Sequence, residues 1–489
     1  MKRIPGEMEE STVEYEVVIG LEIHAELATK SKIYCGCTTE FGGEPNTHCC
    51  PGCIGMPGAL PVLNKAVVEY AIKAGLATNC EISHYSRQDR KHYFYPDLAK
   101  AYQISQCEYP LCRNGYLEIE VNGEKKKIGI TRIHIEEDAG KLIHDEYGRG
   151  TFVDYNRSGV PLIEIVTEPD MRSSAEVKAF FEKLKAILEY TAVSDCKMQE
   201  GSLRADINLS VRPKGQKEFG VRTEMKNLNS IRAIVRAVEF EAKRQILELE
   251  YGGVIERETR RWDDVKGESY SMRTKEEATD YRYMPDPDLY PIYVDQEWIE
   301  QIRATIPELP DDRKKRFISE LGIPEYDASI ITASKPLADF FEAAAKESKN
   351  AKAISNWVMG DLMKKLNDTG LEPSDIPFAP GNLARLVSLI DENVISGKIA
   401  KQVFDIMWET GEDPADIVEK KGLKVVTDTD AIRSVIIQVI SANPKSVEDY
   451  KSGKTKAMGF LIGQIMRETK GKADPQAVNR LLKEELDKL

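Results

Sequence analysis

No stretch of this 489-residue sequence approaches the roughly 20 consecutive apolar residues that a bilayer span requires, so a membrane protein is not expected. The opening MKRIPGEMEESTVEY lacks the apolar centre of a signal peptide, and the cytosol is the expected compartment. No Gly-x-Ser-x-Gly turn occurs, PGCIG around Cys53 is not its cysteine counterpart, and no Ser/Lys-rich amidase-like loop appears. Positive charge is also scarce. With 68 Lys and Arg against 81 Asp and Glu, the net charge of −13 argues against a general nucleic-acid coat protein, since phosphates are held by positive potential. The string EDYKSGKT ends like a phosphate-binding loop, but Glu448 stands where the first glycine is needed. Internal repeats and low-complexity segments are absent.

What is present is 41% hydrophobic and 30% charged, a globular composition over a length that suits two to four domains. One local exception to the acidic balance is Lys445 to Lys472, with seven basic residues against three acidic. It reads either as a solvated helix face or as a surface for phosphates.

From about Glu14 to Pro291 the pattern is strand-like, as in YEVVIGLEIHAEL, YLEIEVNGEKKKIGITRIHIEE, GVPLIEIV and GSLRADINLSVRP. Asn122-Gly123 predicts a tight hairpin, because both residues accept positive φ. Two helices interrupt the strands. Ser173 and Glu176 have the spacing of a capping box for one, and the other follows Ser230 and stops at Gly252-Gly253. Five prolines between Met284 and Pro310 mark a junction, beyond which the spacing is helical, as in Pro336 to Glu347 and Ala431 to Ala442. Gly459 and Gly463, four apart on an apolar helix, predict close helix packing.

Three constellations carry chemistry. In EVVIGLEIHAEL every odd position from Val17 to Leu27 is apolar, so Glu22, His24 and Glu26 share the other face, either solvated or as a metal half-site. In RIHIEEDAGK the same rule groups Glu137 with Ile133 and Ile135, an inward carboxylate that should have a cation, be neutral or line a cleft. In VPLIEIVTEPD, Glu164 lies in a strand apolar on both sides, with Arg157 the expected partner if the answer is a salt bridge. Glu22, His24, Glu137 and Glu164 together offer oxygen ligands and one imidazole, a set suited to Mg²⁺ or Mn²⁺. Second, Cys35-x-Cys37 and Cys50-x-x-Cys53 flank a Gly/Pro-rich loop and can wrap a structural Zn²⁺, with Cys49 and His48 as possible substitutes. Reduced thiols around a loop are the plain alternative. Third, Ser86 to Gln106 interleaves Arg87, Arg90, Lys91 and Lys100 with Tyr93, Phe94, Tyr95 and Tyr102, a mixture that suits an RNA end as well as an ordinary surface.

At VIGLEIHAEL, GGEPNT, DRKHYFYPDLAKAYQISQ, HIEEDAGK, VDYNRSGVPLIEIVTEPD, EGSLRADINLS, EMKNLNS, DYRYMPDPDL and SVEDYKSGKTKAMGFLIGQIM, the chain resembles the GatB family, the B subunits of the tRNA-dependent amidotransferase complex GatCAB. The resemblance runs from Tyr15 to Leu489. It implies an α+β protein: a catalytic domain over 1–295 with a mixed or antiparallel sheet similar to the glutamine synthetase fold, an all-α helical domain over 296–408, and a YqeY-like helical tail over 409–489 that touches tRNA. The implied activity is ATP-dependent amidation of Glu-tRNA(Gln) or Asp-tRNA(Asn) through an acyl phosphate. Ammonia would come from the glutaminase subunit of GatCAB, its A component, with the small C component bracing the pair. By motif position His24, Glu137 and Glu164 would ligate Mg²⁺ with Glu22 close by, and Glu136, Lys91, Arg204, Asp206 and Lys226 would contact ATP or substrate. Lys451, Lys454 and Lys456 would face tRNA. A non-catalytic protein that only delivers tRNA, and a zinc hydrolase built on the cysteines, are the competing expectations.

Overall fold

The computed structural model describes residues 13–145, 148, 150–274, 281–425, 429–452, 454, 456–469, 473 and 475–488. They form two compact units, Met1–Pro310 and Asp311–Leu489. Lys470 and Lys472 of the basic span lie outside the described residues.

The first unit is organised by a nine-stranded sheet. In chain order its strands are β1 (Tyr15–Glu26), β2 (Glu81–Ile82), β3 (Cys112–Val121), β4 (Glu124–Glu137), β5 (Pro161–Thr167), β6 (Leu203–Pro213), β7 (Thr223–Leu228), β8 (Glu258–Asp263) and β9 (Glu268–Thr274). Across the sheet they run β9-β8-β7-β6-β1-β5-β4-β3-β2. The β7–β8 pair is parallel and the other pairs are antiparallel, so the sheet is mixed. Asn122 and Gly123 close the β3–β4 hairpin with φ of 54° and 81°, as a turn with two positive φ angles requires.

Strict alternation gives this sheet two unlike faces. One is apolar: Leu21, Ile23, Ile133, Ile135, Ile163, Ile165, Leu203 and Ile207 pack in one core with three helices, α1 (Lys65–Ala77), α2 (Ser174–Tyr190) and α3 (Ile231–Glu250). Helix α2 begins as expected, with the Ser173 hydroxyl accepting from the Glu176 amide. The Glu176 carboxylate reaches back to accept from the Arg172 amide at 2.7 Å. Helix α3 is capped by Ser230 and is followed by Gly252 at φ 75°. The opposite face of the central strands carries ionisable residues. It is partly covered by a three-stranded sheet of Arg282–Pro285, Asp89–His92 and Tyr102–Ser105, the last joined to β4 through hydrogen bonds to Glu136 and Glu137.

Every named element of the second unit is a helix. Its C-terminal helices share a core of Ile432, Ile436, Leu461, Ile465 and Leu482. The close packing expected at Gly459 and Gly463 is not found. The helix Lys456–Glu468 buries Ala457, Leu461 and Ile465, whose four-residue spacing defines the inward stripe. Both glycines fall on the exposed side, where an added Cβ would meet nothing within 4 Å. The segment before SGKT is the helix Pro444–Lys451, which agrees with dismissing a phosphate loop there. No described helix is long and apolar enough to cross a membrane.

In this unit Glu342 ties two helices together. It accepts from Arg313 at 2.8 Å and Arg316 at 3.1 Å and pairs with Lys346 at 3.0 Å. Burial favours the neutral acid, but the hydrogen bonds from Arg316, Lys346 and Arg313 prevail and push its pKa from 4.5 down to about 2. A lowered pKa stabilises the fold above the unfolded value, and that contribution is lost as pH falls through the folded value. Glu342→Gln should therefore lower helical-unit stability at pH 7 by on the order of 1 kcal/mol after solvent screening. It should also flatten the loss of stability between about pH 4.5 and 2, read by urea unfolding across that range. An acid limb as steep as the wild type's would contradict this assignment.

Candidate functional site

The polar face of the sheet is assembled by register. Strand β1 sets His24 opposite Glu164 of β5 and Arg204 of β6, and Glu22 opposite Asp206 of β6. Strand β5 in turn sets Glu164 opposite His134 of β4. Because opposed residues in paired strands point to the same side, every one of these side chains projects from one face.

At the centre, His24 Nε2 lies 3.3 Å from Glu136 Oε1 and 3.4 Å from Glu164 Oε2. His134 Nε2 stands 3.7 Å from each of the same two carboxylates. Ser105 Oγ donates to Glu136 at 3.4 Å, and Arg132 lies 3.6 Å from Glu164. Ligand atoms of Glu22, His24 and Glu164, and of His134, Glu136 and Glu164, lie within 4.8 Å of one another, a donor set that could hold an oxygen-seeking divalent cation.

Electrostatics sort these groups. Burial opposes charge on His24, but its hydrogen bonds to Glu136 and Glu164 raise its pKa well above the usual imidazole range. Burial would likewise raise Glu136, yet His134 and His24 hold it well below the ordinary carboxylate value, and Glu164 is lowered by the same two imidazoles against its own burial. Glu22 goes the other way, raised by burial and by the nearby Glu164 charge. Glu26 is pushed up to about 7 by burial and Asp138. One side of the centre is flanked by Lys226, which pairs with Asp206 and lies 3.2 Å from Glu224. Toward the other end of β1, Arg204 donates to Asp138 at 2.7 Å. Burial weighs against charge on both bases, but Asp206 and Glu224 for Lys226, and Asp138 for Arg204, raise their pKa values. Lys91 is also raised, Tyr283 and Glu136 outweighing its burial.

Most expected site residues are brought to this face: Glu22, His24, Glu136, Glu164, Arg204, Asp206 and Lys226, with Lys91 on the adjoining strand. Glu137 is not among them. Both its oxygens lie 2.6 Å from Lys100 Nζ, and Oε1 also accepts from the Ile104 amide at 2.9 Å. The physical reason is parity. Glu136 follows His134 onto the polar face, whereas Glu137 follows Ile133 and Ile135 and, at the strand's end, turns into Lys100 instead of the core. The inward carboxylate does have its cation, but the cation is a lysine. Nor does Arg157 meet Glu164; it sits 3.3 Å from Asp138. His134 was passed over by sequence reasoning, though its place two before Glu136 was a usable signal.

The cysteine loop forms a separate centre. Thiols of Cys35, Cys37, Cys50 and Cys53 come within 4.8 Å of one another, consistent with a zinc site. Neither substitute belongs to this group of four, and the Cys49 thiol instead meets Asn156 Oδ1 at 3.8 Å. Hydrogen bonding from Cys35 pulls Cys53 down to about 4 against its burial, and the charge of Lys32 helps. Burial pushes Cys37 up to about 11. Lys32 is wholly buried, its Nζ donating to the His48 carbonyl at 2.8 Å and lying 3.8 Å from Cys53 Sγ.

In the second unit Lys451, Lys454 and Lys456 are all exposed, and Lys454 bonds Asp449 at 2.8 Å.

Comparison with known proteins finds matches along both units of the chain. Residues 17–300 match the family model described as the GatB/GatE catalytic domain, and residues 339–486 match the GatB domain. The chain is 68% identical to the aspartyl/glutamyl-tRNA(Asn/Gln) amidotransferase B subunit of Caldicellulosiruptor bescii, over 98% of its own length and all of the relative's. It is 63% identical to the corresponding protein of Thermoanaerobacter sp., over 97% of its length and all of that relative.

The central imidazole is what keeps two buried carboxylates compatible. His24→Ala should cost about 3 kcal/mol in urea unfolding, because removing one partner of a buried pair strands the other charge. Adding Glu164→Gln should recover part of that loss; equal destabilisation of the single and double variants would contradict the pairing.

Proposed function

Since the chain belongs to the family of aspartyl/glutamyl-tRNA(Asn/Gln) amidotransferase B subunits, a ligase that converts misacylated Asp- or Glu-tRNA to Asn- or Gln-tRNA with use of ATP, we propose that the His24–Glu136–Glu164 centre is where the tRNA-borne carboxyl is activated. The observation that carries this reading is three strands converging two buried carboxylates on one imidazole.

The chemistry runs from these residues. ATP must approach a substrate carboxylate, so two anions meet on a face already rich in acid. His24, Glu136 and Glu164 would hold a divalent cation, Mg²⁺ or Mn²⁺, which when bound screens those charges and stabilises the phosphoryl transfer. Lys226 and Arg204, each kept charged by its carboxylate partners, flank the centre and orient phosphate oxygens. Lys91 adds a third cation from the adjoining strand. Glu22, its pKa raised by burial and by the Glu164 charge, stands beside the centre. Phosphorylation of the side-chain carboxyl leaves an acyl phosphate, and attack by ammonia expels phosphate to give the amide. We take ammonia to come from the glutaminase partner, the A component of GatCAB, with the small C component bracing the pair, and the setting to be cytoplasmic. The four thiols would hold a structural Zn²⁺, since a closed set of four leaves no open position for catalysis. We retain the division into a catalytic domain, a helical domain and a tRNA-binding tail with bounds near 295 and 408; the separate core of the last helices supports the tail as a body of its own.

Glu136→Gln and Glu164→Gln separate this reading from a protein that only delivers tRNA. Each should lower ATP cleavage by at least about 100-fold in the reconstituted complex with tRNA affinity kept, the scale expected when a group acting on transition-state charge is removed. Unchanged ATP cleavage would leave the delivery role.

For the tail, reversing charge at Lys451, Lys454 and Lys456 should weaken tRNA binding and reduce the slope of log affinity against log salt by up to about 2 to 3, at roughly 0.7–0.9 per lost phosphate contact. A slope equal to that of the wild type would remove these lysines from the RNA surface.

A further inference from the structure

Next to the carboxylate face lies a group of rings for which the activation chemistry has no use. The Asp89–His92 strand sets Lys91 in register with Tyr283. Lys91 Nζ lies 4.7 Å from the centre of the Tyr281 ring and 5.8 Å from that of Tyr93, and those two rings meet edge to face at 5.6 Å. The rings are not core. Tyr281 is 38% and Tyr283 43% exposed, and Phe94, next along the chain from Tyr93, is 87% exposed. Rings left in water around a cation are unusual enough to ask what covers them. The group is continuous with the reaction centre: the same small sheet supplies Ser105 to Glu136, and Tyr283 and Lys91 both feel the charge of Glu164.

We propose that Lys91, Tyr93, Tyr281 and Tyr283 seat the 3′-terminal nucleotide of the aminoacyl-tRNA, with its unstacked base lying on a tyrosine ring and its backbone charge near Lys91. This rests on His24, Glu136 and Glu164 being the reaction centre. The argument is one of reach. The carboxyl that reacts is joined to the terminal ribose by an ester and a few carbon–carbon bonds, so when it meets Glu136 and Glu164 the terminal base must lie in the same cleft. A base drawn away from its neighbours loses stacking, and an aromatic side chain restores it without regard to sequence. Lysine beside the rings matches the phosphate that follows. The adenine of ATP has the same stacking chemistry, but a small ligand is usually enclosed, and an open platform suits the tip of a macromolecule entering from solvent.

The test uses the complete complex of this chain with its partner proteins and a tRNA whose terminal adenosine is replaced by 2-aminopurine, a fluorescent base quenched by stacking. Binding to the wild type should quench the probe. Tyr281→Ala and Tyr283→Ala together should abolish the quenching and raise KM for charged tRNA by about 5- to 150-fold with KM for ATP unchanged, the span given by 1–3 kcal/mol of stacking per base. Tyr281→Phe with Tyr283→Phe should restore both. An unquenched probe with the wild type, Phe variants as impaired as the Ala variants, or a rise confined to KM for ATP would each overturn the seat. If the seat fails while Glu136→Gln still abolishes ATP cleavage, the reaction centre stands without it.

Discussion

Two carboxylates, Glu136 and Glu164, share one protonatable imidazole beneath the surface of a sheet, and most of the first unit can be read as the scaffold for that contact. Two buried negative charges so close would repel strongly in a medium of low polarity, and each alone would pick up a proton. His24 between them, with His134 behind, reverses this and keeps both acids ionised. The face is therefore charged and yet internally balanced. The apolar face of the same strands supplies the stability that such a polar construction lacks, because its isoleucines and leucines lock the strands onto α1, α2 and α3.

Much of this was legible in the residues. The unbroken alternation of Val17 to Leu27 identified one polar and one apolar face, and Glu22 and His24 lie on the polar side as that alternation requires. Asn122-Gly123 and the Ser173–Glu176 cap also behaved as local chemistry dictates, since turns and caps involve only neighbouring groups. The choice between Glu136 and Glu137 went differently. Alternation was read correctly, but Glu137, on the side of the isoleucines, was grouped with the candidate metal ligands. Which side of a strand carries the polar cluster depends on where the helices pack, and that is settled by residues distant in the sequence. The partner of Glu164 escaped for the same reason: Arg157 is near it in sequence, whereas His24 and His134 are near it only through the pairing of β1, β5 and β4. Spacing alone also misjudged Gly459 and Gly463, because a helix with two possible stripes shows its inward one only when its neighbours are known.

The cysteine loop and the end of β4 express one rule in two chemistries. Lys32 is wholly buried and answers backbone carbonyls and a thiol of low pKa, just as Lys100 answers Glu137. In both places a lysine is carried into the interior because a concentrated negative group waits for it. Lys32 carried no sequence signal, and Lys100, although noted among the cations of Ser86 to Gln106, lies in no spacing pattern with Glu137.

The alternation of β1 also limits how this protein can vary. Replacing one residue of the Glu22–Leu27 stretch alters one contact, but adding or removing one would turn His24 toward the helices and Ile23 toward the acids, exchanging interior for exterior along the rest of the strand. An inserted or deleted residue in this strand should therefore disturb the fold far more than a single replacement.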